Sequence, residues 1–400
     1  MTATISLRLR RPHPDRRLVA LLEQTWQSVP AYRELWQSAG VTPDRLRQVR
    51  SASDLSTLPV VDKAQLRRFP VAARCALPTS SVRLERTSGS TGEPFTIPLE
   101  AASRQRRRLR FLRALLGCGY RPGQRALILT THEAPAFGAV LGWSCVDIAL
   151  GSEALVERYC ELRPRLLYGP LNSLILLARG LESVAARAPR PARVISTAEQ
   201  LDAADRRRLR AAYGCDPADF YGMSETGLVA VRRPGRRQFT VAGRRFLLEF
   251  LDCPGAPGLE RLLVTDLGGG AMPLIRFDTG DLVERDRSHP DRPIVGFRGR
   301  SVDCLRLPDG RLVSPYRITL ALEEVAGLRR YQVIQRRDLS VDVLLWTGGA
   351  EPRSIRRQAD ERLRALLGAE ADIRLQAILG EPDSGARKFR PVSSEASQQA

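Results

Sequence analysis

Apolar residues recur every three to four positions at Leu18, Leu21, Leu22, Trp26 and Val29, predicting a helix from about residue 16 that is interrupted at Pro30. A second helical piece follows and ends at Gly40. The stretch VRLERTSGSTGEPFTIPLE at 82–100 reads as strand, Ser/Thr/Gly loop and strand. From Ala101 to Leu116 the apolar set Leu109, Leu112, Leu115 and Leu116 marks a helix. Its RQRRR run reads as a solvated face and is assigned no function. Strand-like and helical runs then alternate: ALILTT (126–131), RLLYG (165–169) with a helix through Leu181, and ARVISTAE (192–199) with a helix through Ala212. Such alternation predicts parallel strands covered by helices.

Past Phe239 the texture changes to short strands separated by Gly/Pro turns, RRFLLEFL, RLLVTDL and PLIRFDTGDLV, which predict an antiparallel barrel or sheet. Beyond GFRGRSVD (296–303), YQVIQ (331–335) and VDVLLW (341–346) are expected to pair, followed by a helix over 351–367 and the strand DIRLQAIL. The expected architecture is α/β, with a large N-terminal part over 1–302 and a small α+β domain over 303–400.

Composition narrows the function classes. A chain of 400 residues with 43% hydrophobic and 27% charged residues has the makeup of a globular enzyme. The longest apolar stretch, near Phe137–Leu150, is broken by Asp147 and is too short to span a membrane. No apolar segment follows the charged N-terminus, so no signal peptide is expected. The seven cysteines are scattered without a C-x-x-C pair, which suits free thiols in the cytoplasm. The net charge of +19 raises the question of a nucleic-acid partner. However, Lys63 and Lys388 are the only lysines among the 63 basic residues, which points to a general arginine bias. The arginine runs also lie on different predicted elements, and no nucleic-acid motif accompanies them. Nucleic-acid binding is therefore the weaker reading.

Four segments carry chemistry. Thr87-Ser88-Gly89-Ser90-Thr91-Gly92 sets small hydroxyl and glycine residues between two strands, where backbone N–H groups can converge on an anion; an ordinary Ser/Gly hairpin is the plainer alternative. Tyr221-Gly222-Met223-Ser224-Glu225-Thr226-Gly227 ends an aromatic and glycine turn in a carboxylate suited to Mg²⁺, or to a helix cap. Asp278-Thr279-Gly280-Asp281 presents a carboxylate after a tight turn, able to accept ribose hydroxyls; a common turn is the plainer alternative. Lys388 stands in GARKFR; one more exposed cation is the plain reading, against which stands a lysine where nearly every other basic position is arginine.

In this order the four segments resemble the adenylate-forming superfamily, most closely its phenylacetate–CoA ligase-like branch. VPAYRELWQSAGV, LSTLPVVDKAQLRR with Lys63, ISTAEQ and GRSVD extend the similarity over about Val29 to Arg390. The resemblance implies that Thr87, Ser88, Gly89, Ser90, Thr91 and Gly92 hold the β,γ-phosphates of ATP. It implies that Ala198, Glu199, Tyr221, Gly222 and Met223 flank adenine, Ser224 touches the α-phosphate and Glu225 binds Mg²⁺. Asp281 would hold the ribose with Arg300 assisting, Asp303 would be the interdomain pivot, and Lys388 would bridge the substrate carboxylate and the α-phosphate. Glu93 and STAEQ depart from the branch's usual pattern.

The expected reaction is ATP-dependent formation of an acyl-adenylate from an aryl or aryl-alkyl acid, then a thioester with CoA. A different second step is the alternative: a carrier-protein thiol, an amine, or nitrite activation on an aromatic amine. Candidate pocket residues are His132, Phe137, Trp143, Tyr168 and Gly169, near strand ends where ligands of α/β folds sit; Trp143 and Phe137 read equally well as core, and His132 as structural. Homodimers are common among such relatives.

Overall fold

The computed structural model describes residues 15–86, 95–130, 142–147, 151–182, 189–253, 256–289, 294–323, 325–347, 351–379 and 390–396. Helix α1 (Arg16–Ser28) starts at Asp15, whose side chain accepts the Arg17 N–H. Pro30 is the first residue of α2 (Pro30–Ser38), where its missing N–H costs nothing, so the chain bends between the two helices. Gly40 follows α2 at φ +73°. After α3 (Pro43–Gln48), a reciprocal Asp62–Gln65 capping box opens α4 (Lys63–Arg67) and places Lys63 at its first position. Leu18, Leu22, Tyr32 and Trp36 pack on Phe95 and Ile97, tying these helices to the antiparallel hairpin β1 (Arg83–Arg86) and β2 (Thr96–Leu99).

The centre is a seven-stranded sheet made of β3 (Ala126–Thr130), β4 (Trp143–Asp147), β5 (Leu166–Pro170), β6 (Arg193–Thr197), β7 (Ala218–Met223), β8 (Gly227–Arg232) and β9 (Thr240–Val241). Its order is β4-β3-β5-β6-β7-β8-β9, parallel as far as β7 and antiparallel beyond. The unbroken apolar run Ala126–Leu129 fits a strand covered on both faces. Helix α5 (Ala101–Gly117) lies on one face. Helices α6 (Gly151–Leu162), α7 (Leu171–Glu182) and α8 (Ala203–Tyr213) lie on the other.

Helix α5 differs from its expectation. Leu115 is buried, but Leu109 and Leu116 are 46% and 43% exposed. The inward face runs instead through Arg107, Arg110, Phe111, Ala114 and Cys118, because polar contacts to the β7–β8 turn fix the helix rotation. The RQRRR run is therefore not simply a solvated face.

Strands β10 (Phe246–Asp252), β11 (Leu259–Asp266), β12 (Phe277–Arg285) and β13 (Ile294–Arg300) form an antiparallel sheet in chain order. Among the described residues it is open, with β10 and β13 as edges, so of the two expected forms, barrel or sheet, the sheet is the one observed. The buried Arg276 pairs with Glu249 and reaches the carbonyls of Ser56 and Leu58, fixing the N-terminal helices to this sheet.

The remaining chain forms the short pair β14 (Leu305–Arg306) and β15 (Leu312–Val313), then α9 (Pro315–Glu323), β16 (Arg330–Gln335), β17 (Val341–Trp346), α10 (Pro352–Leu367), β18 (Ile373–Ile378) and β19 (Val392–Ser394). The sheet β18-β17-β16-β19 packs on α9 and α10 around its own core, including Ile318, Val333, Val343 and Leu363. Strands β16 and β17 pair as expected. Among the described residues no helix is long and apolar enough to cross a membrane.

Candidate active site at the ends of the parallel strands

Tyr221, near the end of β7, stacks on Phe297 of β13 with centroids 3.6 Å apart and planes at 16°. Its hydroxyl donates to Asp281 Oδ2 at 2.6 Å. Desolvation and the neighbouring carboxylate push the phenol's pKa well up, keeping it a donor. Asp281 on β12 pairs in register with Arg300 on β13, and Arg300 Nε stands 3.5 Å from Asp281 Oδ1. The turn that delivers Asp281 is held by its own residues: Asp278 Oδ1 accepts the Gly280 N–H at 2.9 Å, and Thr279 Oγ1 accepts the Asp281 N–H at 3.1 Å. Gly280 adopts φ +74°, which suits the residue without a Cβ.

The β7–β8 turn carries Glu225. A Cβ on Gly222 would lie 2.7 Å from the Gly227 carbonyl oxygen, so close backbone approach accounts for the first glycine. Gly227, at φ +69°, closes the turn. Arg107 donates to the Ser224 carbonyl at 2.7 Å and also to that of Glu225; Arg110 donates to the Thr226 carbonyl at 2.6 Å. Two guanidiniums of α5 thus hold three consecutive carbonyls. Burial lowers the pKa of both, Arg110 to about 10, and both remain cations near neutral pH. The Glu225 carboxylate is buried and forms an ion pair with Lys63 from α4. Lys63 Nζ also lies 5.5 Å from the ring centroid of Phe95, where the chain enters β2. Ser224 is exposed and Met223 half-buried.

A third element joins at β6. Ala198, just past the strand, takes φ +68°, a left-handed conformation that costs a non-glycine residue about 1–2 kcal/mol. It turns Glu199 back onto α7, where the carboxylate accepts from the Asn172 N–H at 2.9 Å and from Asn172 Nδ2 at 3.0 Å. Thr197 Oγ1 donates to the Phe220 carbonyl at 3.1 Å. Tyr168 packs edge-on against Phe111 and Phe220 with centroids 5.2 Å and 6.3 Å away, and bonds to the Thr197 side chain. Gly169 is buried, and a Cβ there would come within 2.7 Å of Leu129 Cβ, so packing alone requires glycine. Trp143 is a core residue 8% exposed, its Nε1 donating to Tyr120 Oη at 2.8 Å.

Asp303 lies at the junction with the C-terminal sheet, buried, and accepts from Arg390 Nη2 at 2.6 Å. Burial raises its carboxyl pKa, with Arg390 and Arg300 opposing. Thr87, Ser88, Gly89, Ser90, Thr91, Gly92, His132, Phe137 and Lys388 lie outside the described residues.

The structure therefore brings Tyr221, Asp281, Arg300 and Phe297 into contact, with Glu225 on the turn leaving β7 and Glu199 just past β6. The arrangement lies at the carboxyl ends of parallel strands, where open α/β sheets bind ligands. Arg107, Arg110, Asn172 and Arg330 had no assigned role in the sequence reading. Only the helical spacing of Arg107, Arg110, Phe111 and Ala114 hinted that two arginines share the buried face. A single carboxylate suits a cation such as Mg²⁺, which takes few protein ligands, but here Lys63 already neutralises Glu225, so the metal would compete with that ammonium. Among the described residues no group of three or more His, Cys, Asp or Glu side chains forms a fuller metal site.

No protein-family profile matches the chain. It is 26% identical over 371 residues to a phenylacetate–coenzyme A ligase of Thermus thermophilus, covering 82% of this chain and 78% of the relative. It is 24% identical over 404 residues to the Pseudomonas putida enzyme of the same name, covering 94% and 90%. Among solved structures, 2-hydroxyisobutyryl-CoA ligase with 2-HIB-AMP in its postadenylation state superposes at TM-score 0.76, with 21% identity and coverage of 95% and 88%. The same ligase with 2-HIB-AMP and CoA in the thioesterification state gives TM-score 0.62, with 23% identity and coverage of 96% and 89%. Ordered motifs, sequence relatives and fold point the same way: the chain is similar in sequence to phenylacetate–CoA ligases and shares the fold of the adenylate-forming CoA ligases.

Proposed function

We propose that the protein is an ATP-dependent, AMP-forming acid–CoA ligase. The acid's carboxylate oxygen attacks the α-phosphorus of ATP, forming the acyl-adenylate as the bond to pyrophosphate breaks. The CoA thiolate then attacks the acyl carbon, and AMP leaves. The observation that carries this reading is the Tyr221–Asp281–Arg300 constellation beside the turn bearing Glu225. A carboxylate held by a phenol and a guanidinium is suited to ribose hydroxyls, and the flat surface around Tyr221 and Phe297 to a purine.

Catalysis of this kind consists of bringing two anions together and neutralising charge. In this reading Glu225 holds Mg²⁺, which supplies charge neutralisation at the phosphates. Residues Thr87 to Gly92 cradle the β,γ-phosphates, and Lys388 bridges the acid and the α-phosphate. Asp303 is the pivot between 1–302 and 303–400. The acid expected in this reading is an aryl or aryl-alkyl acid. A cytoplasmic location, where ATP and CoA are both supplied, suits this reading.

The partnered state of the arginines weighs against a nucleic-acid surface. Arg106 pairs with Glu100, Arg206 with Asp216, Arg208 with Asp205 and Arg232 with Asp219. The test is mass spectrometry of products from ATP, Mg²⁺, CoA and a panel of aryl and aliphatic acids. Acyl-CoA with AMP is the expected result. Acyl-AMP without acyl-CoA would overturn the CoA step, and no acid-dependent AMP would overturn the adenylation.

A further inference from the structure

Arg330, the first residue of β16, reaches from the C-terminal sheet to α7, where its Nη2 donates to Asn172 Oδ1 at 2.5 Å. Asn172 uses its remaining polar groups on Glu199, donating from its backbone N–H and from Nδ2 to the two carboxylate oxygens. The amide therefore has one allowed orientation, with oxygen toward the guanidinium and nitrogen toward the carboxylate. A directed chain runs from Arg330 through Asn172 to Glu199, the residue after Ala198 with its left-handed backbone.

The surroundings are charged on every side. Arg179 of α7 repels the Arg330 guanidinium, Glu199 and Asp205 attract it, and Arg208 repels it. Asp202 and Asp205 begin α8, with Asp202 accepting the Asp205 N–H at 2.7 Å. Burial disfavours the Arg330 cation, so its position costs free energy that a loose surface arginine would not incur. An unfavourable backbone angle beside it is likewise maintained only where neighbours over-determine it.

We propose that Arg330 is a positioning residue of the nucleotide site, setting Glu199 and the Ala198 backbone through Asn172. The proposal rests on the ligase reading above and adds to it a contact from the C-terminal sheet. That contact makes purine recognition on one side of the molecule depend on how the other side is seated.

The test uses the full-length enzyme with ATP–pyrophosphate exchange and calorimetric ATP binding. Arg330→Ala is expected to raise KM for ATP and weaken ATP binding about tenfold, the loss typical of a charge-assisted hydrogen bond. KM for the acid should stay within about twofold, since no acid contact is removed. Arg330→Lys should recover part of the loss, and Asn172→Ala combined with Arg330→Ala should cost no more than the larger single change. A lowered melting temperature with unchanged ATP binding and KM would overturn the proposal, as would equal losses for ATP and acid. If the parent enzyme supports no acid-dependent exchange, the ligase reading fails; ATP binding unaffected by Arg330→Ala overturns the positioning role on its own.

Discussion

The Tyr221 hydroxyl donates to Asp281 Oδ2, joining the end of the parallel sheet to the antiparallel sheet at one hydrogen bond of 2.6 Å. Tyr221→Phe keeps the stacking on Phe297 and removes only that bond. A bond to a charged acceptor contributes about 1.5–3 kcal/mol. We expect KM for ATP to rise about tenfold, with the melting temperature lowered by only a few degrees; steady-state kinetics and a thermal melt check both.

Lys63→Met leaves the buried Glu225 carboxylate without its ammonium. Breaking such a pair costs about 3–5 kcal/mol when both ions are fully buried; Lys63 keeps 29% of its side chain exposed, so we expect about 2 kcal/mol. Because the carboxylate would then lack a cation, Mg²⁺ should raise the variant's melting temperature more than the parent's. A magnesium titration followed by differential scanning fluorimetry checks this, and equal shifts would contradict it.

Arg107→Lys retains a positive charge but cannot hold the Ser224 and Glu225 carbonyls together, since an ammonium lacks the guanidinium's fork. The turn that aims Glu225 should loosen while the helix remains folded. A fall in kcat of about tenfold or more is expected, since small misplacements of reacting groups cost that much. Far-ultraviolet circular dichroism should be unchanged.

Much of this was legible in the sequence. Strands β3, β5 and β6 with helices α7 and α8 follow from periodicity alone, whereas β4 and α6 have no counterpart in the sequence reading; the pairing of β16 with β17 follows from two alternating apolar runs. The segments around Tyr221 and Asp281 were legible because their small and acidic residues are placed by local turn geometry. Other parts depend on tertiary contact. The rotation of α5 contradicts its leucine spacing, because Arg107 and Arg110 find carbonyl partners on a distant turn and Leu109 and Leu116 are left exposed. The Lys63–Glu225 pair and the Arg330–Asn172–Glu199 chain likewise join residues far apart in sequence, and no local pattern announces them. Gly169 looked like a pocket residue, but its close approach to Leu129 is a sufficient reason for it.

Asp219 predicts a pH dependence of stability. It is buried against Arg232 at 2.9 Å, and burial pushes its carboxyl up to about 6 while Arg232 opposes. The unfolded chain releases this proton near pH 4, so between about 4 and 6 the folded state binds it more tightly. Stability from this group is present at the acid end and is lost as pH rises through that window. The difference in melting temperature between the parent and Asp219→Asn should change across about pH 4 to 6 and be constant above about 7.

The most direct test of the central claim follows the oxygen atoms. Full-length enzyme is given an acid labelled with ¹⁸O in its carboxylate, together with ATP, Mg²⁺ and CoA, and the nucleotide product is weighed. Attack of the carboxylate on the α-phosphorus leaves one labelled oxygen on AMP after the thiol displaces it, so singly labelled AMP matched by acyl-CoA is predicted. Unlabelled AMP, or ADP in place of AMP, would contradict the acyl-adenylate and with it the account of this site.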